Sequence, residues 1–226
     1  MLIPGLRLIR EIPVAFGRMG MVLSNYSDSE QRRNRLRLLL KIRSQRDMLM
    51  NPGEACQIMS AIDAVTRKNI PGEMAELGVA SGASAMMIAS RAPGRILHLF
   101  DTFEGLPKPT QVDSPRFKER QYRYSLEDVQ QYLRIGDIRF HRGLFPHTAI
   151  GLSDTRFAFV HLDADLYEST KAGLEWFYPR LNKGAILISH DYDTAAGVNR
   201  AFEEFFADKP EPYLDFVGCQ CGFVKM

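Results

Sequence analysis

The sequence predicts an α/β protein: a mostly parallel, Rossmann-like sheet with helices on both faces, preceded by an N-terminal helical arm. Three observations predict it. Short apolar runs recur along the chain, most end in an acidic or polar residue, and the stretches between them are long enough for helices. Near-continuous apolar strands alternating with helices indicate parallel strands covered on both sides. Residues 1–50 are expected to form the basic arm and residues 51–226 the α/β domain.

The elements follow in order. Residues 29–50 read as a helix opened by Ser29 and closed by Asn51-Pro52-Gly53, with seven basic residues between Gln31 and Arg46 beside an apolar stripe of Leu36, Leu39 and Leu40. A second helix is expected from Glu54 to Lys68. The period then changes, and strands are expected at 73–79, 95–100, 138–141, 157–162 and 185–189. Phe202–Phe206 belongs to a helix starting near Thr194, and 214–217 with 222–225 reads as a terminal antiparallel hairpin. Residues 105–125 carry three prolines and many charges without periodicity, which suits a mobile lid.

Composition excludes several classes. With 226 residues, 45% hydrophobic and 25% charged, the chain is neither low-complexity nor disordered, and it is long enough to bury a real core. The net charge of +2 divides unevenly: residues 1–50 hold ten Lys/Arg against four Asp/Glu, the remainder nineteen against twenty-three. The basic arm is better read as a covering helix than as a nucleic-acid hook. Cys56, Cys219 and Cys221 make a poor disulfide framework, which points to a reducing, cytoplasmic setting. Neither a signal peptide nor a membrane span is expected, since the longest uncharged run, Leu77–Ser90, is too short and holds two glycines.

In an open parallel sheet, ligands bind beyond the carboxyl ends of the strands. The first strand ends in Glu76-Leu-Gly78-Val-Ala-Ser-Gly82-Ala-Ser84, a turn whose glycines allow close backbone approach and which opens a helix. Asp101 ends the second strand, where a carboxylate can accept both hydroxyls of a ribose. Together they indicate a nucleoside-containing cofactor. The G-x-x-x-G spacing differs from the G-x-G-x-x-G of dinucleotide sites, and Glu76 suits an ammonium and a sulfonium better than a pyrophosphate, which favours S-adenosylmethionine.

A second group is acidic. Asp163 and Asp165 end the fourth strand, and His190 and Asp191 end the fifth. Carboxylates converging at one rim repel unless a cation or a proton lies between them. Oxygen ligands suit Mg²⁺, while an imidazole shifts preference toward Mn²⁺ or another transition metal. His190 could instead act as a general base without a metal. Tyr167-Glu-Ser-Thr-Lys171, with Ser153 upstream, matches the pair of short-chain dehydrogenases, but residues 1–70 lack their glycine fingerprint.

Several strings together carry a resemblance. Pro71–Gly78 through Ser84, Leu99-Phe-Asp101-Thr-Phe-Glu-Gly-Leu-Pro107, Gly143-Leu-Phe-Pro146, Leu162-Asp-Ala-Asp-Leu-Tyr-Glu-Ser-Thr170 and Asp191-Tyr192 are similar to the macrocin O-methyltransferase family, over residues 48–206. That resemblance implies a class I methyltransferase fold: a seven-stranded sheet with one antiparallel strand, commonly in a homodimer. It implies S-adenosylmethionine held by Glu76, Gly78, Gly82, Ser84 and Asp101, and a divalent metal held by Asp163, His190 and Asp191. Asp165 resembles the carboxylate that takes the substrate proton. The acceptor would be a hydroxyl of a small molecule, a sugar of a secondary metabolite or glycan. His190 departs from the pattern, which often has a second Asp there.

Overall fold

The computed structural model describes residues 29–216 and 218–226. The expectations for residues 1–28 and for Val217 lie outside the described residues. The chain divides into two compact units, Met1–Lys41 and Ile42–Met226. In the first, helix α1 begins at Glu30, with the Ser29 hydroxyl accepting the Arg32 N–H at 3.2 Å, and runs on to Arg43.

Helicity stops at Arg43 rather than reaching residue 50. The Arg43 guanidinium donates to the Met50 carbonyl at 2.6 Å, which folds residues 44–50 back as a non-helical connector. The next helix needs an extended residue at its start. Asn51 supplies it, and its side chain and Glu54 form a reciprocal capping box with Pro52 in the first turn of α2 (Pro52–Arg67).

From there the chain alternates: β1 (Glu73–Leu77), α3 (Ala83–Arg91), β2 (Ile96–Asp101), α4 (Leu126–Tyr132), β3 (Asp137–Arg142), β4 (Phe157–Leu162), α5 (Tyr167–Phe177), β5 (Leu181–Ser189), α6 (Ala196–Phe206), β6 (Leu214–Asp215) and β7 (Cys221–Val224). One seven-stranded sheet has the order β3-β2-β1-β4-β5-β7-β6. The pairs from β3 to β5 are parallel, and β7 runs antiparallel to both β5 and β6. The direction of the order reverses between β1 and β4, so both strands end at the topological switch point, where a ligand crevice opens.

Alternation along the strands sorts the core into two layers. Ala75, Leu77, Phe100, Val160, Leu162 and Leu187 join Leu174, Phe177, Val198 and Phe202 of α5 and α6 in one apolar cluster. The intervening Met74, Leu99, Phe159 and Ile188 are equally buried and face the opposite layer. There α2 packs on α3 and across β4 and β5. Helix α5 lies so close to the sheet that a Cβ on Gly173 would come within 2.6 Å of Leu162 Cδ1. Strand β5 starts at Leu181, earlier than the apolar run alone suggests: Leu181 pairs with Phe157, and after a register shift Ile186 pairs with Phe159.

Candidate active site

A cleft of about 490 Å³ opens over the carboxyl ends of β1, β2, β4 and β5. That volume is in the range of small-molecule and cofactor sites. Its floor is the turn after β1. Gly78 has φ +90 there, and a Cβ on it would stand 1.8 Å from the Asp163 carbonyl oxygen. The glycine is therefore required by the closeness of the β1 and β4 backbones. Asp101 holds the same turn from the other side, accepting the N–H of Val79 at 2.7 Å and of Ala80 at 3.1 Å on Oδ2, and that of Phe103 at 2.7 Å on Oδ1.

Gly78, Ser84 and Asp101 line the cleft; Glu76 and Gly82 are not among its lining residues. Glu76 is fully buried beneath the turn, with Oε1 2.8 Å from His161 Nδ1. Burial raises its pKa against the opposing pull of His161 and Ser84. Among the described residues its Oε2 has no hydrogen-bond partner, an orphaned buried acceptor next to a cleft residue. Gly82 is the left-handed residue that opens α3, φ +82, and a Cβ there would meet Val129 of α4 at 3.1 Å.

The acidic group does converge. Asp163, Asp165, His190 and Asp191 share the cleft wall. The Leu166 N–H bonds the Ala164 carbonyl at 2.6 Å, closing a tight turn around Asp165. Asp165 and Asp191 both hold φ +63, a conformation that costs non-glycine residues energy and that aspartate tolerates better than most. His190 Nδ1 stands 3.5 Å from Asp163 Oδ1 and 3.5 Å from Asp191 Oδ2. Those three ligand atoms all lie within 4.8 Å of one another, close enough to share one ion.

The charges are mutually dependent. Burial, then the Asp163 and Asp191 carboxylates, push Asp165 well above the usual carboxylate range. Asp191 moves the opposite way: burial works against its charge, but His190 and Thr194 hold it below the usual range. Burial likewise disfavours a charged His190, yet the Asp163 and Asp191 carboxylates raise its pKa above the ordinary imidazole value. A proton or a metal ion between Nδ1 and the two carboxylates relieves the same repulsion.

Several cleft residues carry no sequence signal of their own. Arg116 donates to Asp191 Oδ1 at 2.7 Å and to Thr194 Oγ1 at 3.1 Å. Tyr122 lines the cleft at φ +60, and burial, with Asp165 and Asp191 nearby, raises its phenol pKa. Asp47 to Met50 form another wall. The loop over 105–125 is fastened at both ends, Leu106 N–H to Gln121 carbonyl at 2.9 Å and Arg120 N–H to Leu106 carbonyl at 2.8 Å. The dehydrogenase-like pair is structural: the Tyr167 hydroxyl donates to Glu204 at 2.6 Å, and Lys171 lies over the Tyr167 ring.

This geometry can be set beside known proteins. The chain is 34% identical over 150 residues to the 8-demethyl-8-(2,3-dimethoxy-alpha-L-rhamnosyl)-tetracenomycin-C 4'-O-methyltransferase of Streptomyces olivaceus, covering 58% of this chain and 57% of that protein. It is 27% identical over 167 residues to the demethyldecarbamoylnovobiocin O-methyltransferase of Streptomyces niveus, covering 66% and 64%. Each match therefore spans less than two thirds of the relative's length. Among solved structures, the O-methyltransferase NovP superposes with a TM-score of 0.67 at 23% identity, over 75% of this chain and 78% of that one. An O-methyltransferase from Bacillus cereus in complex with SAH gives 0.55 at 15% identity, over 85% and 91%. Those likenesses show a shared fold. The model of the macrocin-O-methyltransferase (TylF) family matches residues 53–212, from the capping box of α2 to the approach to β6. With most of the chain matched, β1 to β5 and the strand ends under the cleft included, the protein belongs to the macrocin-O-methyltransferase family.

Proposed function

We propose that this protein is an S-adenosylmethionine-dependent O-methyltransferase acting on a hydroxyl of a small molecule, a sugar of a secondary metabolite or glycan, with help from a divalent metal. The observation that carries the reading is that the Gly78 turn and the Asp163–Asp165–His190–Asp191 group share one cleft. The names of the Streptomyces relatives, one of them acting on a rhamnosyl group, support a sugar acceptor.

The residues present fit the cofactor. Gly78, Ser84 and Asp101 would hold it over the β1 turn. The unpartnered Oε2 of Glu76 offers a buried acceptor for an ammonium beneath them. S-adenosylmethionine supplies an electrophilic methyl group on a sulfonium, so the protein's tasks are alignment and a deprotonated oxygen. Asp101 keeps the turn rigid by occupying the Val79, Ala80 and Phe103 N–H groups, while retaining acceptor capacity toward a ribose.

The donor set also fits a divalent ion, with Asp163 Oδ1, His190 Nδ1 and Asp191 Oδ2 facing one point. Such an ion supplies Lewis acidity, which lowers the pKa of a coordinated hydroxyl. Asp165 is placed to receive the acceptor's proton, and its raised pKa makes it a stronger base than an exposed aspartate. Arg116 and Thr194 steady the outer oxygen of Asp191. Tyr122 and the loop around it narrow the opening against water. A homodimer in a cytoplasmic setting belongs to the same proposal, and exposed Leu214 and Val224 on the last two strands suit a subunit contact. Among the described residues no helix is long and apolar enough to cross a membrane.

Calorimetric titration with S-adenosylmethionine tests the reading. Saturable binding at one site per chain, weakened by Asp101→Ala, is expected. No heat of binding would sink it.

A further inference from the structure

The surroundings of His190 are more specific than a ligand position alone requires. The side chain is about nine-tenths buried and has carboxylates at both ring nitrogens. Nε2 faces Glu54 Oε2 at 3.3 Å and Cys219 Sγ at 3.3 Å. Nδ1 faces Asp163 and Asp191, each at 3.5 Å.

The two sides are not equivalent. Glu54 is saturated: Oε1 accepts the Cys219 N–H at 3.1 Å and its thiol at 3.2 Å, while Oε2 accepts the Asn51 N–H at 2.6 Å as well as His190. It is also hemmed in, since a Cβ on Gly218 would stand 2.7 Å from Oε1. Glu54, His190 and Cys219 are near enough together to suggest a metal cluster. With its other acceptor sites filled, Glu54 is instead an anchor whose Oε2 accepts a hydrogen bond from the His190 Nε2–H. The lone pair of the imidazole is then fixed on Nδ1, pointing at two carboxylate oxygens.

Distances on the Nδ1 side agree with ligation. At 3.5 Å they are too long for well-formed hydrogen bonds. A first-row ion about 2.0–2.2 Å from its nitrogen and oxygen ligands holds them about 3.3–3.5 Å apart in a tetrahedral arrangement. Metal-bound histidines characteristically donate their other N–H to a carboxylate, which fixes tautomer and orientation.

We infer that Glu54 is a positioning residue that sets His190 as an Nδ1 metal ligand, so that the site selects a transition-metal ion over Mg²⁺. The inference rests on the proposal that Asp163, His190 and Asp191 hold a divalent ion, and adds its identity class and the residue that determines it. A nitrogen donor favours ions later in the first-row series, for which imidazole is a good ligand, and disfavours Mg²⁺, which keeps oxygen ligands.

The test uses the full chain and the metals alone. Calorimetric titrations with Co²⁺, Mn²⁺ and Mg²⁺ should rank affinity in that order. Pulsed paramagnetic resonance of the Mn²⁺-loaded protein should show a ¹⁴N coupling that His190→Asp removes, together with a reduced preference for Co²⁺ over Mg²⁺. Glu54→Gln should weaken Co²⁺ binding by about 10- to 100-fold, the usual consequence of losing such a partner. Because Glu54 also caps α2, that variant could fail to fold. The wild-type protein then decides: the long-range ¹H–¹⁵N spectrum of the Zn²⁺-loaded chain should show His190 protonated at Nε2. Mn²⁺ binding without ¹⁴N coupling, an Nδ1–H tautomer, or a folded Glu54→Gln variant with unchanged Co²⁺ affinity would overturn the inference and leave the metal reading standing. No binding of any of the ions by the wild-type chain would overturn both.

Discussion

Asp113 Oδ1 accepts the backbone N–H of Tyr167 at 2.7 Å, so an aspartate in the proline-rich loop caps the first turn of α5. Its other oxygen takes the Thr110 N–H at 2.7 Å and hydroxyl at 2.8 Å. The loop that covers the cleft is thus tied to the helix that follows the end of β4. Asp113→Ala removes the cap and frees the loop. We expect a loss of about 0.5–2 kcal/mol in unfolding free energy. Limited proteolysis should show faster cleavage within residues 105–125.

Gly78 is predicted to be less replaceable than Gly82. A side chain at 78 would press on the Asp163 carbonyl at 1.8 Å, backbone against backbone, so neither partner can rotate away. At 82 the nearest atoms are Val129 and Leu133 side-chain carbons at 3.1 and 3.4 Å, which can yield. Both carry positive φ, so each alanine pays about 1–3 kcal/mol of backbone strain, and Gly78→Ala loses the geometry of the turn as well. Thermal melts of the two variants should show the larger drop for Gly78→Ala, with S-adenosylmethionine binding lost.

Asp101 should affect both stability and binding. Its carboxylate answers three backbone N–H groups, and Asp101→Asn places an amide N–H₂ where one acceptor stood. Leaving one such buried donor unsatisfied costs about 1–3 kcal/mol. Chemical denaturation and cofactor titration of the same variant should report both losses.

A pH effect arises away from the cleft. His141 Nε2 lies 2.8 Å from His98 Nδ1, and the His141 ring stacks on Phe100 at 4.5 Å. His98 Nε2 is paired in turn with Glu73. Burial, then the neighbouring His98, lowers the His141 pKa from 6.5 to about 4. Between those values the unfolded chain binds the proton that the folded chain refuses. Stability therefore rises with pH from about 4 to 6.5 and is lost as pH falls through that window, with a slope of at most about 1.4 kcal/mol per pH unit. Denaturant melts at several pH values should show this slope reduced in His141→Phe.

Much of this was legible in the residues. The strands were visible because parallel strands buried on both faces must be apolar throughout, and their acidic ends mark the rim. Asp163, Asp165, His190 and Asp191 could be grouped because adjacent strands bring their ends together. Glu54 and Cys219 could not, as nothing local says that a capping residue of α2 reaches a loop 165 positions away. Arg116 was equally hidden, since its partner Asp191 is 75 residues on. Gly82 opens α3 and does not line the cleft, and a left-handed cap and a ligand-binding glycine leave the same mark in a sequence. The burial of Glu76 was not legible either, since it comes from the pairing with His161 across β1 and β4, which places the carboxylate beneath the turn.

The central claim is that the acidic group in the cleft holds a divalent ion needed for methyl transfer. The most direct measurement follows labelled methyl from S-adenosylmethionine to a panel of vicinal-diol glycosides, using chelator-stripped protein with and without Mn²⁺ or Co²⁺. Transfer to at least one glycoside is expected only after metal is restored, and none in Asp163→Asn under either condition. Transfer at full rate by the stripped protein, or by Asp163→Asn, would contradict the claim.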